Sequence, residues 1–228
     1  TWYSFVFAGI WSIFRAANSS QFRADVKKLG FVAGGFLLAV LMASAQLYPT
    51  FEYLLQSQRA GAVDYEYAMN YSFWPWRLLG FFLPDLYGNP GTGNYWGYGA
   101  YWEDAVYIGL LPMLLAISTI RLIFNSKSVE NPKQQIVRLL WGVTGVAFIL
   151  SLGKNTPVFP WLYRNVPTFD MFQAPTRWMY LAVFSLAVLS GIGSHFWQRP
   201  TDKARVRMNL LAAASLAICL GAVAASYL

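Results

Sequence analysis

The chain is expected to fold as an all-α, polytopic transmembrane bundle of about six membrane-crossing helices, with an interfacial helix in a long loop. Apolar runs occupy residues 2–14, 29–49, 106–124, 136–152, 178–196 and 210–228, and most approach the roughly 20 residues that a helix needs to cross a bilayer core. At 57% hydrophobic and 12% charged residues, the composition is too apolar for a water-soluble domain of this length. Charge is also partitioned: twelve of the seventeen Lys and Arg residues lie in or beside three short gaps between the runs, and seven of the ten acids lie in the other gaps.

The first run is short, Thr1 is not an initiator Met, and no basic segment precedes it, so it reads as the remnant of a longer helix in an internal piece of a larger membrane protein. Arg15, Arg23, Lys27 and Lys28 then precede the second run, which ends at Pro49. Arg121, Lys127, Lys133 and Arg138 surround the gap between the third and fourth runs, and Arg199, Lys203, Arg205 and Arg207 fill the gap before the last. Only Asp25, Glu130 and Asp202 oppose these cations. Lys and Arg are retained on the cytoplasmic side of short loops. The alternate gaps, 50–105 and 153–177, are therefore expected outside the cytoplasm, within one transmembrane domain spanning 1–228.

Several functions are excluded. The net charge of +7 comes from residues flanking apolar spans, a pattern of topology signals and lipid contacts and not of nucleic-acid binding. Cys219 is the sole cysteine and His195 the sole histidine, which leaves no disulfide, thiolate metal site or haem pair. Gly34-Gly35 and the Gly191-x-Gly193 pair suit close helix packing. Neither a Ser/His/Asp set nor a nucleotide-binding glycine motif is present, and no internal repeat favours a secondary transporter.

Residues 65–102 crowd together Tyr65, Tyr67, Tyr71, Phe73, Trp74, Trp76, Tyr87, Tyr95, Trp96, Tyr98, Tyr101 and Trp102. Trp74 and Trp76, beside the apolar stretch 78–83, predict a short helix at headgroup depth. The turn formers of 89–100 predict a loop folded on the membrane surface. Aromatic faces beside carboxylates also suit sugars, whose rings stack while their hydroxyls meet acids and amides.

Two polar features at span ends go beyond anchoring. Gln46 and Glu52 bracket Pro49; if the helix breaks there both can face one cavity, and if it continues they face different sides. At the start of the fifth span, Pro175 and Thr176 offer a first-turn proline and a capping hydroxyl. Arg177 beside them opposes the helix dipole but suits a phosphate or diphosphate, or a lipid headgroup. Glu103 and Asp104 are adjacent hard-oxygen ligands compatible with a divalent metal, although adjacent acids in loops are usually just solvated; no cofactor is evident.

The segments Gln46-Leu-Tyr-Pro-Thr-Phe-Glu52, Ser57-Gln-Arg59, Phe82-Leu-Pro-Asp-Leu-Tyr-Gly88, Tyr107-Ile-Gly-Leu-Leu-Pro112, Leu152-Gly-Lys-Asn-Thr-Pro157 and Met171-Phe-Gln-Ala-Pro-Thr-Arg177 together resemble the bacterial YfhO family of polytopic membrane proteins, across roughly residues 40–195. That family is similar in architecture to GT-C glycosyltransferases, which move a sugar from a polyprenyl-phosphate donor to an acceptor on the outer membrane face. The resemblance implies a bacterial plasma membrane, a lipid-linked sugar and membrane lipids as ligands, and a catalytic base in an outer loop upstream of Thr1. It further implies that Arg177 and Arg59 hold donor phosphate, that Gln46, Glu52 and Asp85 support the cavity, and that Glu103 and Asp104 lie near an acceptor. A flippase for lipid-linked sugars, or a noncatalytic subunit with protein partners in a larger complex, are the alternatives.

Overall fold

The structure, a computed structural model, describes residues 2–17, 22–57, 63–97, 99–124, 132–166, 169–171 and 173–197 together with eight isolated positions between 206 and 221. Arg59 and most of the expected span 210–228 lie outside the described residues. No strand occurs among the described residues, in keeping with the all-α expectation. The helices are α1 (Trp2–Ala17), α2 (Phe22–Gln56), α3 (Tyr65–Met69), α4 (Leu110–Ser118), α5 (Ile120–Phe124), α6 (Pro132–Ser151), α7 (Val158–Asn165) and α8 (Met179–Trp197).

Among the described residues, three stretches are long and apolar enough to cross a membrane: Gly30–Gln56, Gln134–Ser151 and Pro175–His195. The shorter apolar helices Tyr3–Ala17 and Leu110–Phe124 fall on the first and third runs. The third run is shorter than its apolar residues suggest for two reasons. Residues 106–109 are not helical, and Gly109, at φ 95°, forms the helix N-cap. At Thr119 the hydroxyl donates to the Ala116 carbonyl at 2.6 Å, closing a turn that divides α4 from α5; such local side-chain bonding competes with the helical ladder.

The chain divides into two compact units. The first comprises 1–68 and 161–173. Here α1 packs on α2, with Phe5 and Phe36 edge to face at 4.6 Å. The apolar length of α2, roughly 40 Å at 1.5 Å per residue, exceeds a bilayer core of about 30 Å, and none of its Gly30–Gln56 window is buried within the chain. Gly34 and Gly35 accordingly face open space. Pro49 does not break this helix. Thr50 donates its hydroxyl to the Gln46 carbonyl at 2.7 Å, an added bond beside the position where proline lacks an N–H. At the far end of the unit, the Val63 N–H donates to the Asp170 carbonyl at 2.9 Å and the Tyr163 hydroxyl donates to the Val63 carbonyl.

The second unit comprises 69–160 and 174–228, and its centre is α8 packed between α4 and α6. Val137, Leu140, Leu181, Ala182, Ser185 and Leu189 fill that core. A Cβ on Gly193 would lie 2.1 Å from the Leu115 carbonyl oxygen, so α8 meets α4 backbone to backbone there, whereas Gly191 meets nothing. The Trp141 indole donates to Thr119 at 3.0 Å, tying α6 to the α4–α5 turn.

Residues 71–73 link this helical core to the loop above it. The Phe73 N–H donates to the Ser151 carbonyl at 2.9 Å, Asn155 Nδ2 donates to the Phe73 carbonyl at 2.8 Å, and the Thr176 N–H donates to the Tyr71 carbonyl at 3.1 Å. Phe73 is fully buried, with its ring edge on Phe148 at 6.2 Å, a burial contributing about 2–3 kcal/mol. The segment thus fastens the start of the following 3₁₀ helix, Pro75–Phe81, to the C-terminal end of α6 and the start of α8.

Candidate functional site

The expected interfacial helix is that 3₁₀ turn, Pro75–Phe81, with proline in its first turn. Trp74 and Trp76 stack at 4.6 Å and 22°, and Trp76 is exposed. On the opposite side of the turn Arg77 points inward and is 5% exposed. A buried guanidinium requires an anion; Asp104 supplies it, with Nε of Arg77 and Oδ2 of Asp104 3.2 Å apart.

Local chain geometry delivers both charges. Pro90–Thr92 forms a turn capped by Asn89, whose Oδ1 accepts from the Gly91 N–H at 2.8 Å, and Gly93 ends it at φ 72°. The chain returns at Gly88, also left-handed, where a Cβ would meet the Asn94 carbonyl oxygen at 2.1 Å, so only glycine fits this crossing. Tyr95 then reaches Arg77, which donates to the tyrosine hydroxyl. The guanidinium lies between two rings, 5.4 Å from Tyr87 and 5.6 Å from Tyr95, an arrangement that favours the cation. Tyr87 is held by its own hydroxyl, which donates to the Trp76 carbonyl at 2.6 Å.

Thr176 completes the arrangement from the start of the fifth span. Its expected role as a helix cap is not realised, because the 3₁₀ turn Pro175–Trp178 has no side-chain cap. The fully buried hydroxyl instead donates to Asp104 Oδ1 at 3.1 Å. A bond donated to an ionised carboxylate is stronger than one between neutral groups. Burial nonetheless pushes the Asp104 carboxyl up to about 6, against the opposing pull of Arg77 and Thr176.

Next to it, Glu103 and Arg177 form a bidentate pair, with Nε to Oε2 at 3.1 Å and Nη2 to Oε1 at 2.7 Å. The side chains are 28% and 52% exposed. Hydrogen bonding from Arg177 holds the Glu103 carboxyl below its ordinary range, with burial opposing. Two adjacent carboxylates therefore have different partners: Asp104 an enclosed arginine, Glu103 an accessible one. No group of three or more Asp, Glu, His and Cys residues converges as a metal site among the described residues.

A cavity of about 300 Å³ opens beside Asp104, lined by Arg77, Pro84, Tyr87, Tyr101, Val106 and Tyr107.

The expected site residues thus separate into groups. Glu103, Asp104 and Arg177 are brought together. Gln46 and Glu52 belong to the first unit, exposed on a continuous helix, where six residues at about 100° each place them on different sides. Asp85 lies in the turn following Pro84 and accepts at its carbonyl from the Gly88 N–H at 2.9 Å, bracing the left-handed Gly88. Arg77 was not singled out from sequence; its one available signal was an arginine between apolar residues in a segment otherwise suited to an interface.

All-helical among the described residues, with three stretches long and apolar enough to span a membrane and a charged, aromatic loop cluster at the ends of α6 and α8, the chain is a polytopic helical membrane protein. The family model for the bacterial membrane protein YfhO matches residues 1–227, and the chain belongs to that family. Comparison with curated proteins and with solved structures returns no match.

Proposed function

We propose that the protein acts in membrane glycosyl transfer of the GT-C type, moving a sugar from a polyprenyl-phosphate donor to an acceptor on the outer face of a bacterial plasma membrane. The observation that carries this reading is the pairing of Arg177 with Glu103 at half exposure, beside the neutralised pair of Arg77 and Asp104. An arginine held bidentate by a carboxylate is preorganised for another bidentate anion, and phosphate is such a ligand. Donor phosphate exchanges for Glu103 on Arg177, and Asp104 receives a hydrogen bond from a sugar hydroxyl. Gln46, Glu52 and Arg59, which belong to the first unit, contribute to transfer separately from this site, and Asp85 shapes the loop. The charge pattern of loops 50–105 and 153–177 supports their placement outside the cytoplasm.

The test is transfer of radiolabelled sugar from polyprenyl-phosphate donors by the full-length protein, alongside Glu52→Gln and Arg177→Ala. A loss of about tenfold or more in each, roughly 1.4 kcal/mol of barrier, is expected. No transfer from any donor, or variants as active as the parent, would overturn the reading in favour of a flippase or a noncatalytic subunit.

A further inference from the structure

The cavity beside Asp104 has a composition that the phosphate-binding role of Arg177 does not use. Its walls are aromatic, with Tyr87, Tyr101 and Tyr107 around one carboxylate and one guanidinium. Its volume of about 300 Å³ lies at the lower bound for small-molecule sites. Asp104 uses one lone pair on Thr176 and faces Arg77 with the other oxygen. An ionised carboxylate offers about four acceptor sites, so acceptor capacity remains on a side chain that is 4% exposed.

Charge decides between candidate ligands. Arg77 and Asp104 cancel within 3.2 Å, so the cavity has no net charge with which to hold an ion. A cationic or an anionic ligand meets both members of the pair, so neither gains a net electrostatic attraction there. A neutral ring with apolar faces and several hydroxyls matches all the walls: tyrosine faces pack against its C–H surface, and its hydroxyls donate to Asp104.

We propose that this cavity is a subsite for one neutral pyranose ring, stacked among Tyr101 and Tyr107 and hydrogen-bonded through its hydroxyls to Asp104. The assignment deepens the glycosyl-transfer reading and rests on it for its biological meaning, since the ring is that of either the acceptor or the donor. Binding itself requires no transfer. Gly99, at φ 87°, lies close to the carboxylate: a Cβ there would approach Asp104 Oδ2 to 3.3 Å.

The test is equilibrium binding of free methyl hexosides to the full-length protein in nanodiscs, read by saturation-transfer NMR. The probes are the neutral hexoside, the matching hexuronate and the 2-amino sugar. The neutral probe is expected to bind best. Tyr107→Ala, at a residue 47% exposed, should weaken it about tenfold, the scale of a lost ring contact. Asp104→Asn leaves Arg77 unneutralised in a side chain of the same shape, so selectivity should move toward the hexuronate, a change that mere loosening of the loop would not produce. Competition by a polyprenyl-phosphate sugar identifies the ring as the donor's, and undiminished binding in its presence identifies it as the acceptor's. Failure of the neutral probe to bind, or unchanged selectivity in Asp104→Asn, would overturn the subsite even if transfer activity is found. Probe binding without transfer would leave the subsite standing and remove the transfer reading.

Discussion

The enclosed pair of Arg77 and Asp104 gives the sharpest prediction. Both side chains are nearly inaccessible, at 6% and 4% exposure, so removing either partner strands the other. A stranded buried charge costs about 3–5 kcal/mol, whereas replacing a buried pair by apolar groups of similar volume is often neutral. Asp104→Leu should therefore destabilise by the full amount, because arginine cannot shed its proton. Arg77→Met should cost less, because Asp104 already lies at about 6 and becomes neutral by taking up a proton. The double variant should recover to within about 1 kcal/mol of the parent. Thermal unfolding of the purified full chain in detergent, followed by tryptophan fluorescence, measures all four corners of the cycle. Losses that add to within about 0.5 kcal/mol would refute the claim that the two charges act as a buried pair.

Other expectations follow from the same contacts. Burial raises Asp104 from its ordinary 3.8 to about 6, so the folded state binds more protons than the unfolded one between those values, and this carboxylate's contribution makes stability fall as pH rises from 4 to 6; Asp104→Asn should remove that slope in pH-dependent melting. Glu103, held low by Arg177, acts oppositely, its contribution being present above its ordinary 4.5 and lost below it, so Glu103→Gln should flatten the acid limb. Gly193→Ala should cost about 1–3 kcal/mol through the clash with the Leu115 carbonyl, and Gly191→Ala, which meets nothing, should cost nothing measurable in the same melting assay. Ala174 sits at φ 66°, a conformation costing a non-glycine residue about 1–2 kcal/mol, so Ala174→Gly should raise the melting temperature.

The class of fold was legible because apolar length and alternating charge are set by the bilayer, which acts on each segment separately. The second, fourth and fifth runs correspond to α2, α6 and α8 for that reason. What escaped was decided by tertiary contact. Hydropathy contains nothing to show that Thr119 would end α4 or that α2 would pass Pro49 unbroken. The pairing of Glu103 with Arg177 joins residues 74 positions apart, and only the acid and arginine types, without their pairing, could be read beforehand. Thr176 was assigned to the nearest donors in sequence, its own helix start, and went instead to a carboxylate 72 positions away. Arg77 stands between Trp76 and Leu78, with nothing in the sequence nearby to pair it. Its burial depends on Tyr87 and Tyr95 closing over it, which follows from the left-handed turns at Gly88 and Gly93.

Exchange of a carboxylate for a donor phosphate on Arg177 is tested most directly by binding of a radiolabelled polyprenyl-phosphate sugar to the full-length protein. Arg177→Ala should weaken binding by about tenfold, roughly 1.4 kcal/mol. Glu103→Gln, which removes the competing anion from the same guanidinium, should strengthen it. Equal binding by the native protein and Arg177→Ala, or weaker binding by Glu103→Gln, would contradict the assignment of this pair as the phosphate site.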